Sequence, residues 1–182
     1  MTISVTTRQV VGPEDTARRN TQGLRDGFVI EGMFRPDEIN LTYSHLDRMI
    51  VGGIVPASGP LTIEHVKETG TDRFLDRREA AIINIGGAGV VTVDGADHVL
   101  GNKEALYVGM GAKALTFASR DQGAPAHFYL LSAPAHRTCP TVLITIDMAK
   151  KVVTGSAAEA NARTINSISI LTSARVASCS SG

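Results

Sequence analysis

The sequence predicts an all-β domain, a barrel or sandwich of short antiparallel strands with one or two short helices. Short apolar or alternating segments follow one another through residues 77–117, and glycine-containing turns separate them about every eight to twelve residues. Strands at this spacing are typical of sandwiches and barrels. They do not favour βαβ units and a parallel sheet.

Residues 1–38 are predicted to form an N-terminal arm with a short helix. Pro13, followed by acidic and then basic residues, suits the dipole of a helix, and Gly23 is placed to end it. Residues 24–34 have a mixed pattern with Phe28-Val29-Ile30 as the apolar centre. That pattern favours a strand.

Residues 39–150 are predicted to form the β-domain. Residues 39–44 alternate between apolar and polar, and residues 49–55 form an apolar run broken by Gly52-Gly53. Two strands are therefore expected here, the second one bulged at its glycines. Residues 61–69 fit either a short helix or an exposed strand.

A glycine-rich corner follows the next strand. Residues 80–85 are apolar and end at Gly86-Gly87-Ala88-Gly89, which predicts a largely buried strand and a tight turn. Glycine is needed there if φ is positive or if another part of the chain passes close by. The corner does not read as a phosphate loop, because no Lys-Ser/Thr pair follows and the next residues favour a strand.

A hairpin is predicted at Asp94-Gly95, the dipeptide that accepts positive φ at both central turn positions. The order of turns and strands around it is similar to the second half of a cupin barrel. In cupins a metal-binding histidine often follows the last glycine turn, and this sequence has Lys113 there. A protonated lysine has no lone pair to donate, so this barrel half is expected to hold no metal.

The remaining elements are short. Further strands are predicted at residues 105–108, 114–118, 126–131 and 141–146. Residues 147–153 read as a weak helix or turn. Residues 151–182 are expected to be a linker and a divergent, disordered tail, because the composition changes to serine, alanine and small polar residues from Ser167.

Charge and hydropathy exclude several function classes. The chain has 18 basic and 18 acidic residues without a block of like charge, which argues against nucleic-acid binding and a polybasic membrane anchor. No apolar run approaches the roughly 20 residues of a membrane span, and no signal-peptide pattern opens the chain. A cytoplasmic protein is expected. Cys139 and Cys179 are predicted to be ordinary thiols.

Several separated segments closely resemble the 5-keto-4-deoxyuronate isomerase family, over roughly residues 20–166. The resemblance is specific because it does not depend on any single motif. The segments are Thr21-Gln22-Gly23-Leu24-Arg25, Tyr43-Ser44-His45-Leu46-Asp47-Arg48, Ile50-Val51-Gly52-Gly53-Ile54, Arg77-Arg78-Glu79, Ile83-Asn84-Ile85-Gly86-Gly87-Ala88-Gly89, Ala105-Leu106-Tyr107-Val108-Gly109, Ala133-Pro134-Ala135-His136 and Arg163-Thr164-Ile165-Asn166.

This resemblance implies a cytoplasmic zinc-dependent enzyme of pectin and polyuronate breakdown with two cupin-like halves, assembled as a homo-oligomer, expected to be a hexamer. It implies conversion of 5-dehydro-4-deoxy-D-glucuronate to 3-deoxy-D-glycero-2,5-hexodiulosonate. The family's zinc ligands, a His-x-His, a following Glu and a later His, have no counterpart here. The resemblance thus covers the family's N-terminal part only. A truncated or frame-shifted product, inactive alone, is expected; the alternative is a non-catalytic cupin module for assembly or acidic-sugar binding.

Three arginines are the candidates for binding the substrate's carboxylate. Arg48, Arg77 and Arg78 lie at predicted strand ends in the matched segments, and the planar guanidinium suits bidentate recognition of a carboxylate. The alternative is a surface or subunit-interface ion pair with a neighbouring acid: Asp47, Asp76 or Glu79. Glu79 would act as a base only if burial raised its pKa.

The histidines are isolated in sequence, at His45, His65, His98, His127 and His136. A metal site composed of three of them is the less favoured interpretation. His45 is a candidate substrate contact, although for His45 and His136 a structural hydrogen bond at a corner is the preferred interpretation. His98 is expected to be solvated or paired across the hairpin. No catalytic residue is assigned.

Overall fold

The computed structural model describes residues 2–167. Two α-helices lie near the start of these residues, α1 (Pro13–Ala17) and α2 (Thr21–Phe28), and short 3-10 helices span Lys67–Thr69 and Ile146–Met148. The strands are β1 (Thr2–Arg8), β2 (Glu38–Ser44), β3 (Ile50–Ile54), β4 (Leu61–Ile63), β5 (Arg78–Asn84), β6 (Gly89–Val93), β7 (Ala96–Leu100), β8 (Ala105–Val108), β9 (Leu115–Ser119), β10 (Phe128–Pro134), β11 (Val142–Ile144), β12 (Lys150–Thr154) and β13 (Arg163–Ser167).

The strands form two main sheets, which confirms the predicted all-β class. Seven strands form one sheet in the order β1-β2-β3-β10-β5-β8-β11, and four form the other in the order β4-β9-β6-β7. Neighbouring strands are antiparallel apart from β1 and β2, which run parallel. A separate β12–β13 hairpin follows.

The two sheets pack against each other through one apolar core. Strands of the large sheet contribute Ile82 and Leu130, strands of the small sheet contribute Val91 and Phe117, and all four side chains are fully buried. The ring of Phe117 lies 5.4 Å from that of Phe128, joining the small sheet to the large one. Burying such side chains stabilises the fold by about 1.5–3 kcal/mol each.

Strand β5 shows how the sheet orients its side chains. Ala80 and Ile82 are buried in the core, whereas Glu79 and Ala81, which alternate with them along the strand, lie on the other face and are partly exposed. Because successive side chains of a strand alternate between faces, Arg78 lies on the same face as the core residues. The first residue of this strand is therefore a cation at the end of the core.

The two glycine-containing turns have different causes. Asp94 and Gly95 have φ of 50° and 87°, which confirms the predicted hairpin turn between β6 and β7. At the other corner φ is not positive, but a Cβ on Gly86, Gly87 or Gly89 would collide with the segment that enters β10. Close approach of the chain therefore explains those glycines.

The predicted bulge in β3 is wrong. The register runs without interruption from Ile50 to Ile54 against both β2 and β10. A Cβ on Gly53 would lie 2.6 Å from the carbonyl oxygen of Met33, and one on Gly52 would collide with Leu41. Glycine is required there because neighbouring segments pack directly onto the strand.

The predicted strand at residues 24–34 is also wrong, because α2 covers most of its first half. The side chain of Asn20 accepts a hydrogen bond from the backbone N–H of Gly23, 2.8 Å, and so caps this helix. Asparagine at this position satisfies a donor that the helix cannot pair internally. Strand β1 precedes both helices and was not predicted.

Residues 61–69 and 147–153, which the sequence left ambiguous, each contain a strand segment and a 3-10 helix. Residues 61–69 hold both strand β4 and a 3-10 helix. Residues 147–153 run from a 3-10 turn into β12, so part of the expected linker is a hairpin. The disordered tail expected at the end of the chain falls largely on residues 168–182, outside the described residues. None of the described helices is long and apolar enough to cross a membrane.

Candidate anion-binding cleft

The three candidate arginines meet at one cleft of about 270 Å³, at one end of the large sheet. Arg48 follows β2, Arg77 directly precedes β5, Arg78 is the first residue of β5, and His136 follows β10. Since β2, β3, β10 and β5 are neighbours in antiparallel order, these ends lie together. The cleft is lined by Tyr43, Arg48, Thr69, Gly70, Thr71, Arg77, Arg78, Pro134, Ala135 and His136.

Arg78 is the fixed part of the cleft. Its side chain is buried, with 5% exposed. Its Nε donates to Ser132 Oγ at 3.1 Å, and its Nη2 donates to the carbonyl oxygens of Ser132 at 2.9 Å and Arg48 at 2.6 Å. All three acceptors are uncharged, so hydrogen bonds hold the guanidinium in place without neutralising it.

Electrostatics at Arg78 reflect this environment. Burial lowers the pKa of the Arg78 guanidinium because it removes water from the charged form. Tyr43 acts in the opposite direction, and the like charge of Arg48 lowers the pKa further. The cleft thus holds a desolvated cation with a second cation beside it.

The turn between β2 and β3 presents Arg48. Asp47 and Arg48 both have left-handed backbone conformations, with φ of 51° and 53°. Two consecutive non-glycine residues in this region are uncommon, and the hydrogen bond from Arg78 to the Arg48 carbonyl holds the turn. The side chain of Arg48 is exposed at the mouth of the cleft.

No carboxylate lines the cleft, and the described ion pairs lie elsewhere, between Arg25 and Glu31 and between Arg35 and Glu38. The three neighbouring acids do not pair with the arginines among the described residues. Asp76 accepts from a backbone N–H, of Arg73, and Glu79 accepts from the hydroxyl of Tyr107 at 2.7 Å. Among the described residues, these arginines therefore form no ion pair within the chain, and an ion pair across a subunit interface stays an alternative.

His45 does not line the cleft, but it contacts a side chain that does. Its exposed imidazole packs edge-on against Tyr43, with the ring centres 5.4 Å apart, and Tyr43 lines the cleft. Sequence reasoning did not single out Tyr43 or the loop of Thr69 and Thr71. Tyr43 could have been chosen from the sequence, because it is the first residue of a segment that matches the family. Thr69 and Thr71 could not, because only the fold brings their loop to the cleft.

The zinc that the family resemblance implies does not fit the described residues. Within residues 2–167, no three His, Cys, Asp or Glu side chains lie close enough together to hold a metal ion. The histidines have separate surroundings: His65 Nδ1 lies 3.2 Å from the carbonyl oxygen of Asp72, and His127 packs against Phe34. No metal-dependent step can be built from these side chains.

Outside the cleft, Tyr107 and Glu79 form a hydrogen-bonded pair on the outer face of the large sheet. Tyr107 is 5% exposed and donates its hydroxyl hydrogen to Glu79. Burial raises the pKa of Tyr107 well above its ordinary value, and the hydrogen bond to Glu79 adds to the shift. The phenol therefore stays protonated at neutral pH.

Comparison with known proteins identifies the family. Residues 34–179 match the KduI/IolB family, which is more than half of the chain. The chain belongs to the KduI/IolB family. It is 75% identical over 166 residues to 4-deoxy-L-threo-5-hexosulose-uronate ketol-isomerase 1 of Rhizobium meliloti (strain 1021), a match that covers 91% of this chain and 59% of that protein.

Two other ketol-isomerases of the same name extend this KduI/IolB relationship. The protein of Formosa agariphila is 46% identical over 93% of this chain and 61% of its own length. The protein of Escherichia coli (strain K12 / DH10B) is 47% identical over 87% of this chain and 58% of its own length. The chain thus spans about three-fifths of the length of the curated relatives that it matches.

The similar solved structures are more distant in sequence than these relatives. An IolB-like protein from Salmonella typhimurium LT2 is 14% identical, with a TM-score of 0.45 over 59% of this chain and 40% of that one. A cupin protein from Bacteroides fragilis is 20% identical, with a TM-score of 0.37 over 48% of this chain and 66% of that one.

Proposed function

We propose that this chain is part of a 4-deoxy-L-threo-5-hexosulose-uronate ketol-isomerase. The reaction converts 5-dehydro-4-deoxy-D-glucuronate to 3-deoxy-D-glycero-2,5-hexodiulosonate in pectin and polyuronate breakdown. The observation that supports this most strongly is the 75% identity over 166 residues with a protein of that name. We also propose that the enzyme is cytoplasmic and that it assembles as a homo-oligomer. A hexamer is the assembly that the family resemblance implies.

The arginine cleft is proposed to bind the carboxylate of the acidic sugar. An arginine has five N–H donors, and Arg78 uses three of them, on Nε and Nη2, within the fold. The two hydrogens of Nη1 are left for a ligand. A carboxylate here would accept charge-assisted hydrogen bonds from a guanidinium that is already held in one orientation, which reduces the entropy lost on binding.

The proposed role of the cleft is to recognise the substrate and not to carry out the chemical step. Moving a proton between adjacent carbons requires a base, and polarising the carbonyl requires an electrophile. The cleft provides arginines, hydroxyls and one imidazole, and the described residues contain no zinc ligand set. We therefore propose that the cleft orients the acidic end of the sugar and that this chain alone does not complete turnover.

A second candidate function follows from the same geometry. A β-domain that binds an acidic sugar without converting it, or that serves assembly, would also use a preformed cationic cleft. A sugar-binding role and an assembly role both predict no turnover by this chain. Only the sugar-binding role predicts that uronates raise the melting temperature of the chain.

The test is an isomerase assay on the purified chain, with added zinc and with a chelator, together with melting curves in D-galacturonate. We expect binding without turnover, and a reduced but still measurable melting shift in Arg48→Gln. Turnover that survives the chelator would show that the described residues supply the chemistry. No melting shift with any uronate would remove the carboxylate-binding role and leave an assembly role.

A further inference from the structure

The cleft contains more positive charge than one carboxylate can neutralise. Arg48, Arg77 and Arg78 all line it, and no acidic side chain does. We infer that the cleft prefers an acidic sugar carrying two anionic groups, such as a disaccharide of uronic acids or a phosphorylated sugar acid, over a single uronate. This inference rests on the proposed role of the cleft in binding acidic sugars.

The positions of the three guanidiniums support two anionic groups rather than one. Arg78 is buried and fixed by its hydrogen bonds, whereas Arg48 and Arg77 are exposed on separate segments of the rim. Arg77 is the last residue of the turn before β5 and is exposed, whereas Arg78 is the first residue of the strand and is buried, so the two side chains have different surroundings. One carboxylate offers two oxygens and can make a bidentate pair with one guanidinium at a time.

Repulsion between the arginines of the cleft also favours a ligand with two anionic groups. Burial is the main cause that lowers the pKa of Arg78, and the like charge of Arg48, which lines the same cleft, lowers it further. A single carboxylate bound at Arg78 would leave the two exposed arginines with only solvent as a partner. A second anionic group at the rim would neutralise them and would add charge-assisted hydrogen bonds.

The size and the polar wall of the cleft suit a carbohydrate that carries these charges. At about 270 Å³ it is slightly below the range of about 300–1,000 Å³ for small-molecule sites. It can enclose one sugar unit and leave the rest at the rim. The hydroxyls of Thr69 and Thr71 donate to the carbonyl oxygens of Val66 and Arg73, and they keep lone pairs that can accept from sugar hydroxyls.

The experiment measures dissociation constants of the full chain by isothermal titration calorimetry at one fixed ionic strength. The ligands are D-galacturonate, digalacturonate and a disaccharide of one galacturonate and one neutral galactose, which separates the effect of charge from that of size. Galacturonate 1-phosphate shows whether a phosphate can supply the second anionic group. Digalacturonate or the phosphate is expected to bind about tenfold or more tightly than galacturonate, beyond the twofold statistical effect of two carboxylates.

The variants locate this preference. Arg48→Gln and Arg77→Gln should each reduce the ratio between doubly and singly charged ligands, while the affinity for galacturonate changes less. Arg120→Gln is the control, because Arg120 is an exposed arginine outside the cleft and its loss changes net charge equally.

Each outcome decides between the two proposals. Equal affinities for singly and doubly charged sugars would overturn the inference and leave the acidic-sugar cleft in place. A preference that Arg120→Gln reduces as much as Arg48→Gln would overturn it as well, because binding would then follow net charge. No binding of any ligand would overturn both the inference and the role of the cleft.

Discussion

Arg78 is the residue on which the cleft depends. Its guanidinium joins β5 to the Ser132 hydroxyl and carbonyl on β10 and to the Arg48 carbonyl on the β2–β3 turn. Arg78→Lys keeps the charge, but an ammonium at the end of a flexible chain cannot reach all three acceptors in the same geometry. We expect a loss of about 1–3 kcal/mol in the free energy of unfolding, measured with urea.

The matched control for this prediction is Arg77→Lys. Arg77 is exposed, and no side-chain hydrogen bond involves it among the described residues, so its replacement should change the free energy of unfolding by less than about 0.5 kcal/mol. Equal effects at the two positions would contradict the structural role of Arg78.

Asp37 provides a pH-dependent contribution to stability. It has φ of 59°, and its Oδ1 accepts from the backbone N–H groups of Ser58 at 2.6 Å and Ala57 at 3.0 Å. The hydrogen bond from the Ser58 backbone is the main cause that lowers the pKa of Asp37 below its usual value. A lowered folded-state pKa means that the carboxylate stabilises the fold above the unfolded pKa, and that this contribution is lost as the pH falls through the folded pKa.

The variant Asp37→Asn tests this contribution, because asparagine accepts the same hydrogen bonds and tolerates positive φ but cannot ionise. Its unfolding free energy should lie below that of the wild type at pH 7, and the gap should narrow as the pH falls below about 4. Asp147→Asn, at an exposed residue with no side-chain hydrogen bond in the described part, is the control. A gap that stays constant from pH 7 to pH 3 would contradict the assignment.

At the scale of the element, β3 is held between two neighbouring strands and a segment that crosses it. Gly53→Ala would place a Cβ 2.6 Å from the Met33 carbonyl oxygen and 2.8 Å from its carbon. Backbone atoms cannot move aside as the end of a flexible side chain can. We expect a loss of about 1–3 kcal/mol in the free energy of unfolding, because overpacking displaces the crossing segment.

The control for that variant is Gly59→Ala, since nothing lies within 4 Å of the position that the added Cβ would occupy and the φ of Gly59 is not positive. This change should be neutral or slightly stabilising, because alanine restricts the unfolded chain more than glycine does. If the two alanine variants melt at the same temperature, the close packing of Met33 on β3 is not what requires glycine.

At the scale of the whole molecule, the sequence predicts the strands better than it predicts their surroundings. The hairpin at Asp94-Gly95 follows from local turn chemistry, and β5 and β8 follow from short apolar runs. The glycines of β3 indicated a bulge, but their real cause is the segment around Met33, which is distant in sequence. Helix α2 was missed because its apolar residues also fit a strand and its cap at Asn20 is a single side chain.

The sequence predicts which arginines belong to the cleft, but it does not predict how they are held there. Arg48, Arg77 and Arg78 could be chosen because they lie at strand ends in segments that match the family, and antiparallel neighbours bring such ends together. The burial of Arg78 and its bonds to Ser132 could not be predicted, because they depend on the order of β3, β10 and β5 in the sheet. The approach of the Thr69 loop likewise depends on how that loop crosses the end of the sheet.

An apolar groove on the outer side of the large sheet bears on the proposed homo-oligomer. The groove has a volume of about 410 Å³, and three large apolar side chains on its rim are much exposed: Val10 at 57%, Phe28 at 55% and Leu46 at 60%. Burying such side chains against a second copy would contribute about 1.5–3 kcal/mol each to association. We therefore expect the chain to self-associate through this groove.

The double variant Phe28→Ser with Leu46→Ser tests the groove by sedimentation velocity over a range of protein concentrations. Wild-type chain should shift to larger species as concentration rises. The double variant should need about a hundredfold or more higher concentration for the same shift, because each of the two lost contacts removes more than about 1.4 kcal/mol of association free energy. Val153→Ser is the control, since Val153 is 78% exposed on the β12–β13 hairpin and does not line the groove.

Because Phe28 and Leu46 are outside the core, urea unfolding should show little change, so a weakened association would reflect the surface and not the fold. A wild-type chain that stays monomeric at every concentration, or association that Val153→Ser weakens equally, would show that the groove is not where the copies meet.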